Sequence, residues 1–382
     1  LPFSPANFLD QIRVPVKRII FAVTNELTYD QRMARICGSL STAGYLVTLV
    51  GISGVKPSAD KPLPYRQVRL PMWFRKGKPF YLEYQVRLGL FLLFQPMDAV
   101  CAVDLDSILP CLLVSILRRV PRIYDAHEWF SEMQEVVSRP WIRACWKAVE
   151  RFAVPRFRLG YTVSSPISQA FRVRYGREYP VIRNLPLPEG VPDPPDSGRN
   201  RNFVLYQGAV NVGRSFDTLI PAMRDVRMPL VICGDGNYMQ QARNLVRKYG
   251  LEEKVRFTGL LPPGELREYT RQAKIGLTLF ERSGKSNYYS LANRFFDYIQ
   301  EGLPQLCVDY PAYREINDAY QVAVLLDDLH PLRIAEELNN LIDNDVLYQT
   351  LASNCLRARQ KLNWREEETK LIRFYQNLFA DQ

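Results

Sequence analysis

The chain has 382 residues, more than one hydrophobic core ordinarily organises, and its 47% apolar content is that of a globular protein rather than a disordered one. Its seven cysteines are scattered through apolar runs with no Cys-x-x-Cys pair, and only two histidines occur, His127 and His330. These counts argue against a disulfide framework, a zinc site and any metal centre built on several histidines. The formal charge of +10 is uneven: residues 1–185 carry 26 basic and 14 acidic side chains, a balance of +12, whereas residues 186–382 carry 24 and 26, a balance of −2. Such an asymmetry predicts that the first half meets an anionic partner, whether nucleic acid, acidic lipid or a phosphorylated substrate. The cysteines read as reduced core residues of a cytosolic protein. The opening residues lack a basic segment followed by an apolar one, so no secretory leader is expected. The most apolar stretch, VRLGLFLLFQPMDAVCAV, is interrupted by Arg87, Pro96 and Asp98, so no membrane-spanning helix is expected either.

In chain order, KRIIFAV (17–23) is a buried-strand pattern. A helix follows, with Met33, Ile36, Cys37 and Leu40 at helical spacing and Gly44 as its stop. YLVTLVGI, DAVCAV, RIYDA, LGYTVS and YPVIR read as further strands separated by helical stretches. Residues 184–200, NLPLPEGVPDPPDSGRN, hold five prolines and two glycines and read as a linker. The rhythm then restarts, with strands FVLYQG, PLVICGDG, KVRFTG, KIGLTLF, QLCVD and VAVLL alternating with helices, and an amphipathic helix WREEETKLIRFYQNLFA near the end. This alternation predicts an α/β chain of two doubly wound parallel-sheet domains, residues 1–185 and 186–363. Ligands of such sheets bind beyond the carboxyl ends of the strands, and with two of them the cleft between is the default site.

Residues that follow strands are therefore the candidates. SNYYSLANRFFDYIQEGLP (286–304) predicts a helix over about 291–301 whose core face holds Leu291, Ala292, Phe295, Tyr298 and Ile299. Ser290 is its expected N-cap and Gly302 its C′ residue. Asn293, Asp297 and Glu301 share the opposite face, beside Arg294. A helix N-terminus suits a phosphate, and a cation in the first turn makes sense when an anion is present. Asp297 lies about 6 Å further along the axis, roughly the offset between a diphosphate and the ribose hydroxyls of a nucleotide. YQGAVNVGRSFDTL supplies Gly208, Gly213 and Arg214 after a strand, VICGDG supplies Gly234, Asp235 and Gly236, and RIYDAHEWF aims Asp125, His127 and Glu128 from the other domain. DLD (104–106) has the look of an Asp-x-Asp metal motif, but it lies in the wrong domain for a donor; Asp106 reads as a helix N-terminal residue.

Taken together, these segments resemble a retaining GT-B glycosyltransferase of family 4, the large group 1 family. NELTYDQRMARICGSLSTAGYLVTLVG and VDLDSILPCLLVSILRRVPRIYDAHEWFSE are similar to its first half. YQGAVNVGRSFDTLIPAM, VICGDG, VRFTGLLPPGEL and SLANRFFDYIQEGLP are similar to its donor half, in the same order. The resemblance implies two Rossmann-like domains facing across a cleft, an acceptor in the first and a UDP- or GDP-linked sugar in the second. It also implies that the last helix, 364–382, packs back on the first domain, and that no metal or other cofactor is required. Carried over, Arg214 holds the diphosphate, the Ser290 and Leu291 amides with Asn293 and Arg294 continue that cradle, Asp297 binds the ribose, and Gly208, Gly234, Asp235, Gly236 and Leu261 belong to the donor pocket. His127 stands near the transferred sugar, with Asp30 or Glu128 orienting the acceptor hydroxyl. The chain departs from the family at Tyr289, where a sugar-contacting glutamate is usual, at Asp297, usually a glutamate, and at Ile220, where a second basic residue is usual; Arg294 or Lys285 is the candidate substitute.

The expected activity is transfer of a sugar to a hydroxyl of a glycan or lipid-linked acceptor, in assembly of a bacterial surface polysaccharide or glycolipid. A nucleotide-sugar epimerase on the same fold and a non-catalytic nucleotide-sugar binder are the alternatives. No nucleic-acid partner is expected. The basic first half and the segment MWFRKGKPFYLEY (72–84), which mixes aromatic and basic residues, suggest peripheral contact with an anionic membrane, placing the protein in the cytoplasm at its inner face.

Overall fold

A computed structural model describes residues 16–27, 30–53, 62–188, 190 and 201–380. Much of the expected linker, 189 and 191–200, lies outside the described residues. The described chain forms two six-stranded sheets. The first holds β1 (Arg18–Glu26), β2 (Leu46–Ile52), β3 (Arg66–Leu70), β4 (Ala99–Val103), β5 (Arg122–Ala126) and β6 (Leu159–Thr162) in the order β3-β2-β1-β4-β5-β6. The second holds β7 (Val204–Gln207), β8 (Leu230–Cys233), β9 (Val255–Gly259), β10 (Ile275–Thr278), β11 (Gln305–Val308) and β12 (Ala323–Leu326) in the order β12-β11-β10-β7-β8-β9. Every pairing between these strands is parallel. Counted from its own first strand, each sheet has the same doubly wound order, which reverses direction once, between β1 and β4 and between β7 and β10.

A parallel sheet must be covered on both faces, and the strands show it: β4, β7, β8, β10 and β11 are buried at every position. One face of the first sheet packs against the helices Gly77–Phe94 and Ile108–Arg118. The other packs against the helix Gln31–Thr42 and, from the far end of the chain, Trp364–Ala380. That last helix buries Trp364, Leu371, Tyr375 and Leu378 with Ile19, Phe21 and Leu49, and the Trp364 indole N–H donates to the Ser39 hydroxyl at 2.9 Å.

The strands lie close to where periodicity puts them, with two corrections. YPVIR is not a strand; Val181 makes a single bridge to Thr162. The Thr162 N–H donates to the Pro180 carbonyl, and the Ile182 N–H to Thr162, but Pro180 has no N–H for the next rung and the ladder stops. The reverse error is β3: RQVRL is half-exposed at the sheet edge, so its arginines hide the apolar alternation.

Candidate active site

A cavity of about 550 Å³ lies between the carboxyl ends of the two sheets and is lined by both halves. It sits over both points of strand-order reversal. Asn25, late in β1, faces it from the first sheet, and Gly208 after β7 and Phe280 after β10 from the second.

The second-half wall is cationic. Arg214 and Arg294 both lie against the Phe280 ring, their guanidinium carbons 4.5 and 4.6 Å from its centroid, and Arg294 also covers Tyr206 at 4.5 Å. Arg294 Nη1 donates to the Gln207 carbonyl at 3.0 Å, whereas its Nε and Nη2 have no protein partner. No carboxylate stands within ion-pair distance of either guanidinium among the described residues. Burial, and then repulsion by Arg294, lower the Arg214 pKa. Two cations gathered on one ring with spare N–H groups are an incomplete arrangement, which an anion would complete. Gly208, at φ 119°, makes room: a Cβ there would stand 3.1 Å from Arg294 Nη1.

The predicted helix opens two residues later than expected: it runs Asn293–Gln300, with Ala292 rather than Ser290 as its N-cap, and a break at Ser290–Ala292 separates it from a short turn of helix at Lys285–Tyr289. The break turns Ser290, Leu291, Ala292 and Asn293 toward the cavity. The Ser290 N–H is already bonded to the Ser286 carbonyl and that of Ala292 to the Tyr313 hydroxyl, each at 2.9 Å. Ser290 therefore contributes no free amide to a cradle. Asp297 lines the cavity one turn further in and accepts from Gln207 Nε2 at 3.0 Å. Burial pushes its pKa up to about 6, against the pull of Arg35. Glu301, expected on the same face, is buried between Arg267 and Arg271 and is structural.

Other candidates of the donor half do not line the cavity. Gly234, Asp235 and Gly236 interlock with the loop after β7. A Cβ at Gly234, itself at φ 148°, would lie 1.9 Å from the Gly208 carbonyl oxygen, and one at Gly236 2.3 Å from that of Val210. The Asp235 carboxylate accepts the Gly236 N–H at 2.8 Å. They shape the loop that carries Gly208. Leu261 packs in a small cluster around Phe203 and Tyr298. Lys285 lies over Trp129, 5.7 Å from the ring centroid, and Tyr289 stacks on that same indole at 6.0 Å while its carbonyl accepts from Ser164 Oγ at 2.6 Å. Both join the two halves. Arg294, not Lys285, is the cation that accompanies Arg214.

The first-half wall carries His127, Glu128 and Asp30. Asp30 accepts the Met33 N–H at 3.0 Å and the Asn25 amide at 3.2 Å, so it caps the helix Gln31–Thr42 as well as facing the cavity. His127 follows β5; burial and the nearby Arg32 lower its pKa, so the ring is neutral at pH 7. Its Nδ1 lies 3.9 Å from Asp104, whose other carboxylate oxygen accepts the Glu128 N–H at 3.1 Å. Burial and then Glu128 raise the Asp104 pKa well above the carboxylate range. Beneath lies a fully buried pair, Arg32 with Asp125 at 2.7 and 3.1 Å, and Arg32 also donates to the Ile182 carbonyl. Asp106 lies in the helical turn Leu105–Ser107 and accepts the Thr24 hydroxyl. Between the walls, Arg35 donates to Asn184 at 2.7 Å and Asn184 to Asn293 at 2.9 Å. Sequence reasoning missed Asp104 behind His127, Gln207 beside Asp297, and Phe280; Asp104, directly after β4, and Phe280, two residues past β10, both carried a positional signal.

Residues 193–358 match the family described as glycosyl transferases group 1. The match falls within the second half of the chain. Across almost its whole length the chain has the GT-B fold. It is similar to Anabaena Alr3699/HepE, solved in complex with UDP-glucose, with a TM-score of 0.71, 14% identity, and coverage of 94% of this chain and 99% of that one. Sucrose-phosphate synthase from Thermosynechococcus elongatus is as similar, with a TM-score of 0.71, 16% identity, and coverage of 96% and 100%. WaaG, a glycosyltransferase involved in lipopolysaccharide biosynthesis, follows with a TM-score of 0.68, 15% identity, and coverage of 93% and 98%. No curated protein matches the chain in sequence. The group 1 match supports glycosyl transfer as its function, and the cationic wall described above lies within the matched half.

Proposed function

We propose that the protein moves a sugar from a nucleoside-diphosphate sugar to an acceptor hydroxyl with retention at the anomeric carbon. One observation carries this reading: Arg214 and Arg294 meet on Phe280 without a carboxylate partner among the described residues, and Asp297 lies one helical turn beyond Arg294. The diphosphate lies against the two guanidinium groups and the ribose hydroxyls donate to Asp297. As the glycosidic bond breaks, the leaving diphosphate gains charge, and the arginines stabilise it where it develops; loss of one such group typically costs about 10²–10³ in rate. The acceptor oxygen approaches from the side the diphosphate leaves, and its proton passes to a phosphate oxygen. Neutral His127 positions the sugar, and Glu128 or Asp30 orients the acceptor, a glycan or a lipid-linked saccharide of a bacterial surface polymer. No step requires a metal.

The test is thermal stabilisation by a panel of nucleotides and nucleotide sugars, followed by turnover with and without acceptor. Ligands of the folded state raise the melting temperature with their affinity. Stabilisation by UDP or GDP species that Arg294→Ala abolishes, with turnover only on adding acceptor, supports the reading. Stabilisation by none of them, or stabilisation indifferent to Arg294, ends it.

A further inference from the structure

The helix Gly77–Phe94 is apolar on two opposite sides. Phe80, Tyr84, Leu88 and Leu92 form one stripe, buried against the first sheet. Leu82, Val86, Leu90 and Phe94 form the other, two residues out of step and so about 200° around the axis; they are 70%, 54%, 55% and 76% exposed. Helices apolar all round are normally enclosed. Among the described residues, nothing covers the outer stripe of this one. The neighbouring helix Ile108–Arg118 runs beside it, held by Gln85 donating to the Asp106 carbonyl at 2.6 Å and Arg118 to the Leu92 carbonyl at 3.3 Å. It adds exposed Leu113, Ile116 and Leu117. Large exposed apolar side chains are segregated: of 23 among the described residues, 18 precede residue 186, in the half that also holds the basic excess.

At the start of this face two aromatic rings are held out by a built device. Both Glu83 oxygens accept the Trp73 N–H, at 2.9 and 3.0 Å, and one also accepts that of Phe74 at 2.9 Å. Arg87 donates to Glu83 at 2.7 Å and covers the Trp73 ring at 4.5 Å. The clamp fixes the turn while leaving Trp73 82% exposed. Glu83 is the only acid in residues 73–94, and it is consumed; Arg75, Lys76 and Lys78 stand exposed beside the rings.

We propose that the outer face of helices Gly77–Phe94 and Ile108–Arg118, with the clamped Trp73–Phe74 turn, docks on an anionic lipid bilayer. Clamped aromatic rings enter the headgroup boundary, the exposed apolar stripe lies along the acyl surface for about 18 Å, and the basic triad meets lipid phosphates. Among the described residues no helix is long and apolar enough to cross a membrane, so this one lies on it. A second copy is a poorer occupant. A two-fold contact through this face would bring the two basic triads and the two +12 halves together, whereas an acidic bilayer complements them.

The experiment is flotation of the full chain with vesicles of phosphatidylcholine alone or with one third phosphatidylglycerol, at low and high salt. The expected result is binding to the anionic vesicles at low salt, weakened by salt and far weaker on neutral vesicles. The triple variant Arg75→Glu, Lys76→Glu, Lys78→Glu is expected to lose affinity on the order of a hundred-fold or more. Leu82→Gln with Leu90→Gln and Phe94→Gln is expected to lose at least about ten-fold while keeping the charge. Unchanged melting and unchanged stabilisation by nucleotide in each variant show that the fold and the donor site are intact. No binding of the wild-type chain to anionic vesicles at low salt, or wild-type binding by both variants, overturns the proposal. So does light scattering that shows a wild-type dimer converted to monomer by the leucine and phenylalanine replacements.

Discussion

The two halves share a strand order and differ in what they place beyond it. The first half carries +12, yet the groups it turns toward the cavity are Asp30, Glu128 and a neutral His127, and its cations there are engaged: Arg32 with Asp125, and Arg183 with Glu315 at 3.0 Å. The second half carries −2 and supplies the two arginines that have no acidic partner among the described residues. Bulk charge and site charge are opposite in sign on both sides. An arginine inside a cavity is therefore informative only once its partners are known: Arg32 is a strut, and Arg294 keeps two buried nitrogens without a protein partner among the described residues.

Exchanging these two roles by mutation breaks the comparison most directly if it is wrong. Arg294→Met or Arg214→Met is expected to lower kcat/KM by about 10²–10³, with little loss of melting temperature because no ion pair is broken. Arg32→Met is expected to do the reverse. It strands the buried Asp125 carboxylate and lowers folding stability by about 3–5 kcal/mol in urea unfolding, while the surviving folded protein keeps its nucleotide affinity.

Asp297 sharpens the contrast through pH. Its folded pKa is raised to about 6 by burial, above an unfolded value of roughly 3.9. The fold therefore prefers the protonated form, and this group's contribution to stability is lost as pH rises from about 4 to about 6. Nucleotide binding runs the other way, because the ionised carboxylate is the better acceptor for two hydroxyls. Asp297→Asn is expected to raise the melting temperature at pH 7, weaken nucleotide binding by about 10–100-fold, and remove the rise in affinity across this window, as read by calorimetric titration. The smallest effect is expected at His127. Its Ala variant is expected to lower kcat by about ten-fold with UDP or GDP affinity unchanged, since the proposed function sets it beside the sugar and not the diphosphate.

Much of this was legible in the sequence because it is local. Buried runs such as VLYQ and LVIC announce parallel strands, and Arg214 and Arg294 follow strands or open helices in the expected order. Contacts between distant segments were not legible. Gly-Asp-Gly at 234–236 has the composition of a phosphate turn, but the approach of the Gly208 carbonyl requires it to be small. Lys285 looked like a second phosphate ligand until Trp129, from the other half, came under it. Glu301 has the same helical spacing as Asp297, and only the arrival of Arg267 and Arg271 separates their fates. The late start of the helix Asn293–Gln300 left no mark in the apolar periodicity, because Leu291 and Ala292 continue the spacing of Phe295, Tyr298 and Ile299 although they lie outside the helix.

The central claim is that Arg214 and Arg294 grip a diphosphate while Asp297 holds the attached ribose. A crystal structure of the protein with UDP or GDP tests it in one step. The account predicts phosphate oxygens within hydrogen-bond distance of both guanidinium groups and the ribose hydroxyls on Asp297. A nucleotide seated elsewhere, or one that leaves the free N–H groups of Arg294 unengaged, would contradict it.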